Sequence, residues 1–364
     1  MRCSRELAAT LIAVALGRGA VAAENPPFPP LPVSRSLYLL DVPFLHLGPL
    51  GDLPPPGRST LAIQLAYGNT FSHSWHATAI KTEFGTLGRS FSREEAEELH
   101  RRHPEDQIFY IDGEVARVAV GGAWGVSRHV AVSVDVPFVS FQAFRGDRGI
   151  EVFHETLGLR DAERLNFRRG RFQVVRQRPF GTLEFDDRIP ASGLGDVTVE
   201  VLFRGDLRND TRFGAALSVK APTGSANDYR GSGSWDAGIN LGVDRSFGAS
   251  RRTNLRLEGG IVHPGPFRAE VPLQIEVSPF LRMLVAGQVR IGTRTFATLS
   301  VGFEQSPFRR DALGDGSSTA VEIGLGVSRK LGERTLVELG LVENEPRHGD
   351  ASDIALTVGV RVLP

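Results

Sequence analysis

Apolar and polar residues alternate strand after strand through the carboxyl-terminal half of the chain, and the charges there fall in the polar set, which decides what chemistry they can do. Arg212, Lys220, Asp236, Asp244, Arg256, Glu258, Arg282, Arg290, Glu304, Glu322, Glu338 and Arg361 all fall in the polar set of an alternating segment, and Arg117 and Asp135 extend the set upstream. Isolated charges in a dry core are prohibitively costly. These residues therefore belong in a hydrated interior or in a network that pairs them. One chemistry is selection of solutes by fixed charge lining a passage. The other is mechanical, with Arg–Glu ladders filling a narrow interior. Interior width grows with strand number, and an intermediate size leaves both open.

Hydrolytic chemistry needs a histidine close to a serine or carboxylate. The chain has nine histidines, scattered along its length. His263 follows Glu258 on one segment, and His154 lies between Glu151 and Glu155 in a long loop. Neither has a nucleophile at fixed spacing. Two close pairs, His73 with His76 and His100 with His103, would hold a metal only if folding made their ligand atoms converge. Asp112 and Glu114 are further loop candidates. No glycine-rich phosphate loop runs from a strand into a helix, so no cofactor is expected, and neither a catalytic nor a metal set is assigned.

The elements that must position the charges read as strands. Val197, Val199, Val201 and Phe203 alternate with Thr198, Glu200 and Arg204; Val321, Ile323, Leu325 and Val327 repeat the pattern, as do Ile354, Leu356, Val358, Val360 and Val362. A period of two sends successive side chains to opposite faces. One face is apolar and the other charged, the signature of a transmembrane antiparallel β-barrel. Strands are predicted near 194–206, 211–222, 233–246, 252–264, 280–291, 295–305, 317–329, 334–344 and 352–363, separated by turn-forming residues. Three amino-terminal strands, beginning with Leu61, Ile63, Leu65 and Tyr67, bring the total to about twelve. A hairpin within 165–187 would make it about fourteen. The 41 glycines fall often inside strands, where they mark bends or close backbone approach.

Residues 1–23 read as a cleaved secretory signal, with Arg2 and Arg5, the apolar run Leu7 to Leu16, and small residues at Ala20-Val21-Ala22-Ala23. Cys3, the single cysteine, lies within it. Residues 24–58 are proline-rich and predict an extended arm or plug, since proline cannot donate to a ladder. The barrel is expected over 59–364, with long interruptions near 71–110 and 143–190. Ser92 and Glu95 have capping-box spacing, which predicts a short helix near 92–102 in the first of these. The second is rich in arginine, but it also carries acids, and the formal net charge of the chain is +0. Nucleic acid is not an expected partner.

Several motifs occur in order along the chain: Asp112-Gly113-Glu114, Val136-Pro137, Ser192-Gly193-Leu194-Gly195-Asp196, Lys220-Ala221-Pro222-Thr223-Gly224, Gly231-Ser232-Gly233-Ser234-Trp235-Asp236 and Val342-Glu343-Asn344. Together they resemble the bacterial family catalogued as domain of unknown function 3187. The resemblance implies an outer-membrane barrel and brings no catalytic residue with it. The chain ends Arg361-Val362-Leu363-Pro364, where barrel chains usually carry a terminal aromatic residue. The expectation is therefore a channel or small-solute transporter of the bacterial outer membrane. Its partners would be membrane lipid, lipopolysaccharide, the barrel-insertion machinery and small solutes. The alternatives are a structural or binding barrel with a blocked lumen, a membrane hydrolase, and a soluble β-sandwich.

Overall fold

Period-two alternation becomes a closed wall. The computed structural model describes Leu31 and residues 37–142, 147–157, 163–207, 210–248, 252–270, 276–308, 319–344 and 354–364. The predicted signal, most of the first part of the arm, and the predicted turns at Gly314-Asp315-Gly316 and Gly349-Asp350 lie outside the described residues.

In chain order the strands and helices are β1 (Ser59–His73), α1 (Trp75–Phe84), α2 (Arg93–Arg102), β2 (Ile108–Gly125), β3 (Val130–Gln142), α3 (Asp147–Leu157), β4 (Gln173–Gln177), β5 (Leu183–Asp186), β6 (Gly193–Leu194), β7 (Val197–Asp206) and β8 (Thr211–Ala221). They continue with β9 (Asp236–Phe247), β10 (Thr253–His263), β11 (Phe280–Ile291), β12 (Thr295–Glu304), β13 (Ala320–Leu331), β14 (Thr335–Asn344) and β15 (Ile354–Val362). Strands β1 to β3 and β7 to β15 pair antiparallel with their neighbours, and β1 pairs with β15 to close the ring, Leu61 standing opposite Val362. The result is a closed barrel of twelve strands. Closure pairs the wall strands round the ring without an open edge, which is what a sheet needs in order to cross a membrane. Among the described residues, no helix is long and apolar enough to cross.

Outward residues such as Ile63, Val120, Leu241, Leu257, Leu325 and Val358 are about half exposed all round the ring. A soluble sandwich would bury such a face, whereas a barrel turns it to lipid. The connections β2–β3, β7–β8, β9–β10, β11–β12 and β13–β14 are short and share one end. Turns 292–294 and 332–334 are each three residues long and place Gly292 (φ 73°) and Gly332 (φ 74°) in the left-handed region. Glycine reaches that region without a Cβ clash. Long connections gather at the opposite, loop end.

The expected hairpin within 165–187 exists as β4 and β5, but it does not enter the wall. These strands have five and four residues, short of the ~9–11 that span a bilayer. They add instead to the overhanging start of β2, where Ile108–Asp112 pairs with Gln173–Gln177. Above the ring this overhang and β1 carry a cap. Phe71, Tyr110, Ile80, Leu99, Phe167 and Val175 bury together beneath α1 and α2. The predicted helix is α2, and it keeps its capping box: Ser92 Oγ accepts from Glu95 N at 3.1 Å, and Ser92 N donates to Glu95 Oε2 at 2.6 Å. Asp112 and Glu114, expected in a loop, lie within β2 and are buried. The strand begins at Ile108, and its start is hidden in the sequence because the buried overhang has no exposed face to show the alternation.

Candidate functional site

Alternation along each wall strand sets which side chains face inward. Arg212 and Lys220 on β8, Asp236 and Asp244 on β9, Arg256 and Glu258 on β10, and Arg282 and Arg290 on β11 share the face opposite the exposed apolar residues. Glu304 on β12, Glu322 on β13, Glu338 on β14 and Arg361 on β15 do the same.

Arg212, Asp236, Arg256, Glu258 and Glu304 face the amino-terminal segment. Residues 45–52 run along the inside of β9, in the same direction. Leu45 N donates to Asp236 Oδ2 at 2.8 Å. Asn240 Nδ2 donates to Gly48 O at 3.2 Å, and Leu50 N to Glu258 Oε1 at 2.9 Å. Arg256 holds Leu50 O, and Arg204 Nη1 donates to Gly51 O at 3.0 Å. At the turn end Arg212 bridges Asp52 and Asp244, at 2.9 and 2.8 Å, while Arg204 pairs with Asp244 from the other side. A buried extended backbone must have partners for its N–H and C=O groups. Here wall carboxylates, an amide and guanidinium groups supply them.

Glycines on the inward face make room for the leucines of the segment. An added Cβ at Gly68 would lie 2.5 Å from Leu37 Cβ, and at Gly238 2.9 Å from Leu47 Cδ2. At Gly214 it would lie 3.2 Å from Leu50 Cδ1. Nearer the loop end the chain turns over residues 39–44. There Leu37, Leu39, Leu40 and Phe44 bury against Ile111, Phe141, Phe172, Tyr229 and Phe308. Leu31 reaches back to Leu284 and Ala286 on β11. Burial and the Asp186 carboxylate push the Tyr229 hydroxyl well above its ordinary value, so it remains a donor to Asp186 Oδ2 at 3.0 Å.

The remaining lumen charges make other pairs. Lys220 lies between Asp196 and Asp236, Arg361 is 3.3 Å from Glu338, and Arg282 is 3.4 Å from Glu304. His46 of the amino-terminal segment is 3.7 Å from the same Glu304. Arg290 stacks over Phe296, with 5.5 Å to the ring centroid. Glu322 stands across from Asn344 and Gly302. Sequence reasoning missed Arg204 as a site residue and missed Asp52, Asn240 and the leucines of the segment. A usable signal was the match between alternating leucines at 37, 39, 45 and 47 and glycines on the inward set of the strands.

The hydrolase candidates do not assemble. His263 ends β10 on the exposed face, whereas Glu258 points inward and holds Leu50 N. His154 falls within α3, and its side chain lies outside the described residues. Of the paired histidines, His76 and His103 meet beside Asp106 on the cap. His73 instead sets Nδ1 3.0 Å from Ser74 O.

Comparison with known proteins agrees with this architecture. The chain is similar to the COG4313 outer membrane channel from Pseudomonas putida F1, with 12% identity, a TM-score of 0.54, and coverage of 86% of this chain and 97% of that one. Weaker likenesses include the NanC porin, at 7% identity, TM-score 0.42 and coverage of 83% and 98%. Another is the P. putida toluene transporter TodX, at 9% identity, TM-score 0.40 and coverage of 85% and 91%. At these identities the first comparison speaks for the fold, that of an outer-membrane barrel. No curated protein sequence matches the chain. The family model described as protein of unknown function (DUF3187) matches residues 103–362. With most of its wall and loops inside that match, the chain belongs to the DUF3187 family.

Proposed function

We propose that the protein is a small-solute channel of the bacterial outer membrane whose charged lumen is gated by its own amino-terminal segment. By the usual arrangement of such barrels the short turns face the periplasm and the long loops the exterior. The apolar belt meets acyl chains, the loop-end rim meets lipopolysaccharide, and the strands are delivered by the barrel-insertion machinery. The observation that carries the reading is how the segment is fastened. Between Leu45 and Asp52, the backbone of Leu45, Gly48, Leu50 and Gly51 and the carboxylate of Asp52 are held by wall side chains. Contacts of this kind break one at a time, without unzipping a strand ladder.

The test is conductance in planar bilayers. A variant with Leu45, Leu47 and Leu50 all changed to serine loosens the segment and leaves the wall intact. It is expected to conduct several-fold more than the parent chain, and Arg282→Gln or Glu304→Gln in that background is expected to shift its ion selectivity. A second reading, a barrel with a permanently blocked lumen, is favoured by the aromatic cluster that seats residues 37–44. Silence of the triple variant across many solutes would leave that reading standing alone.

A further inference from the structure

We propose that His76, His103 and Asp106 form a binding site for a divalent transition-metal ion of the zinc class, on the cap and apart from the lumen. Each of the two histidine pairs in the sequence contributes one member. His76 lies in the first turn of α1, His103 is the residue that ends α2, and Asp106 lies in the connection to β2. His76 Nε2 is 3.0 Å from Asp106 Oδ2, and His103 Nδ1 is 3.3 Å from the same oxygen. One ligand atom from each of the three residues lies within 4.8 Å of the others.

A tetrahedral zinc with bonds of ~2.0–2.1 Å has its ligand atoms ~3.3 Å apart. Two edges of that tetrahedron are therefore nearly in place, and rotation of the half-exposed His103 closes the third. Two imidazoles and a carboxylate suit zinc, copper or nickel better than magnesium or calcium, which take oxygen ligands. The fourth position is left for water.

The frame under the ligands is rigid. His103 N donates to Leu99 O at 2.8 Å, and Asp106 N to His103 O at 3.2 Å. Fully buried Gln177 donates through one Nε2 to the carbonyls of both His103 (2.5 Å) and Asp106 (3.1 Å). Ser74 N bonds Phe109 O at 2.9 Å and ties the start of α1 to β2. His76 is buried under the stacked ring of Trp75, with ring centroids 3.9 Å apart, and its Nδ1 has no hydrogen-bond partner. Its one partnered nitrogen is the one facing Asp106. The nearby cations are already neutralised, since Arg101 pairs with Glu98 and Arg102 with Glu83 and Glu98.

The test is calorimetric titration of zinc into the full chain, folded in detergent and stripped with chelator. His76→Ala, His103→Ala and Asp106→Asn are compared with His100→Ala, whose side chain lies outside the cluster. The parent and His100→Ala are expected to bind one zinc at least tenfold more tightly than each of the other three, and to ignore magnesium. Cobalt is expected to give visible absorption bands of tetrahedral type in the parent and not in Asp106→Asn. Heat-modifiable migration on a detergent gel confirms that each variant is folded. Equal zinc affinity in the parent and a folded His76→Ala/His103→Ala double variant would overturn the proposal, as would loss of binding only in His100→Ala. The readout is independent of conductance, so it stands or falls apart from the channel reading.

Discussion

Lys81 shows how one buried charge is managed outside the membrane. Its Nζ donates to Arg89 O at 2.8 Å and Ser90 O at 3.3 Å, lies 3.8 Å from Glu95 and sits over Phe167. Desolvation nevertheless outweighs the pull of Glu95 and holds the ammonium below its ordinary value of 10.5. A lysine with a depressed folded pKa binds fewer protons folded than unfolded between the two values, so its contribution to stability rises with pH across that window. Thermal melts followed by tryptophan fluorescence, comparing the parent with Lys81→Met, are expected to show a difference that depends on pH below 10.5. It should move in favour of the parent as pH rises towards 10.5. A difference that moves against the parent in that window would contradict this assignment. In the lumen the alternation of residues such as Arg212 and Glu258 made their direction legible. Their partner was not legible, because hydrogen bonds to a threaded backbone leave no spacing pattern of their own.

At the scale of elements, α2 was readable and α1 was not. Ser92 and Glu95 advertise the start of α2, whereas the Ser74 side chain bonds Phe109 on β2 rather than capping α1, whose first turn holds no acid. Ser92→Ala is expected to cost about 1 kcal/mol of local stability. Hydrogen exchange over 93–102 would report this as faster opening of the cap, with wall-strand protection unchanged. Unchanged exchange in α2 would show that the capping box contributes nothing. The overhangs of β1 and β2 escaped the sequence for a related reason. Asn69, Thr70 and Phe71, and all of Tyr110 to Val115, are buried whichever way they point, so the contrast between faces disappears. The short strands β4 and β5 resembled wall for the same cause, with buried Arg176 and Glu184 paired at 2.6 Å inside the cap.

For the molecule as a whole, lipid on one side of the wall and charge on the other wrote the barrel plainly into residues such as Leu255, Arg256, Leu257 and Glu258. The occupied interior was less legible, because it depends on a proline-rich segment meeting strands about 190 residues away, a pairing that local periodicity cannot encode. The proposed gate requires that segment to lie against the inner wall and to leave it when the channel opens. An ideal Cβ at Gly214 lies 3.7 Å from Leu50 Cβ, within the range of a disulfide. Single-channel recording of Leu50→Cys/Gly214→Cys, in a chain with Cys3 replaced, is the most direct test. The oxidised protein is expected to stay closed, and reduction is expected to restore the openings of the parent. Failure of the bond to form, or identical conductance with and without reductant, would contradict a gate seated in the lumen.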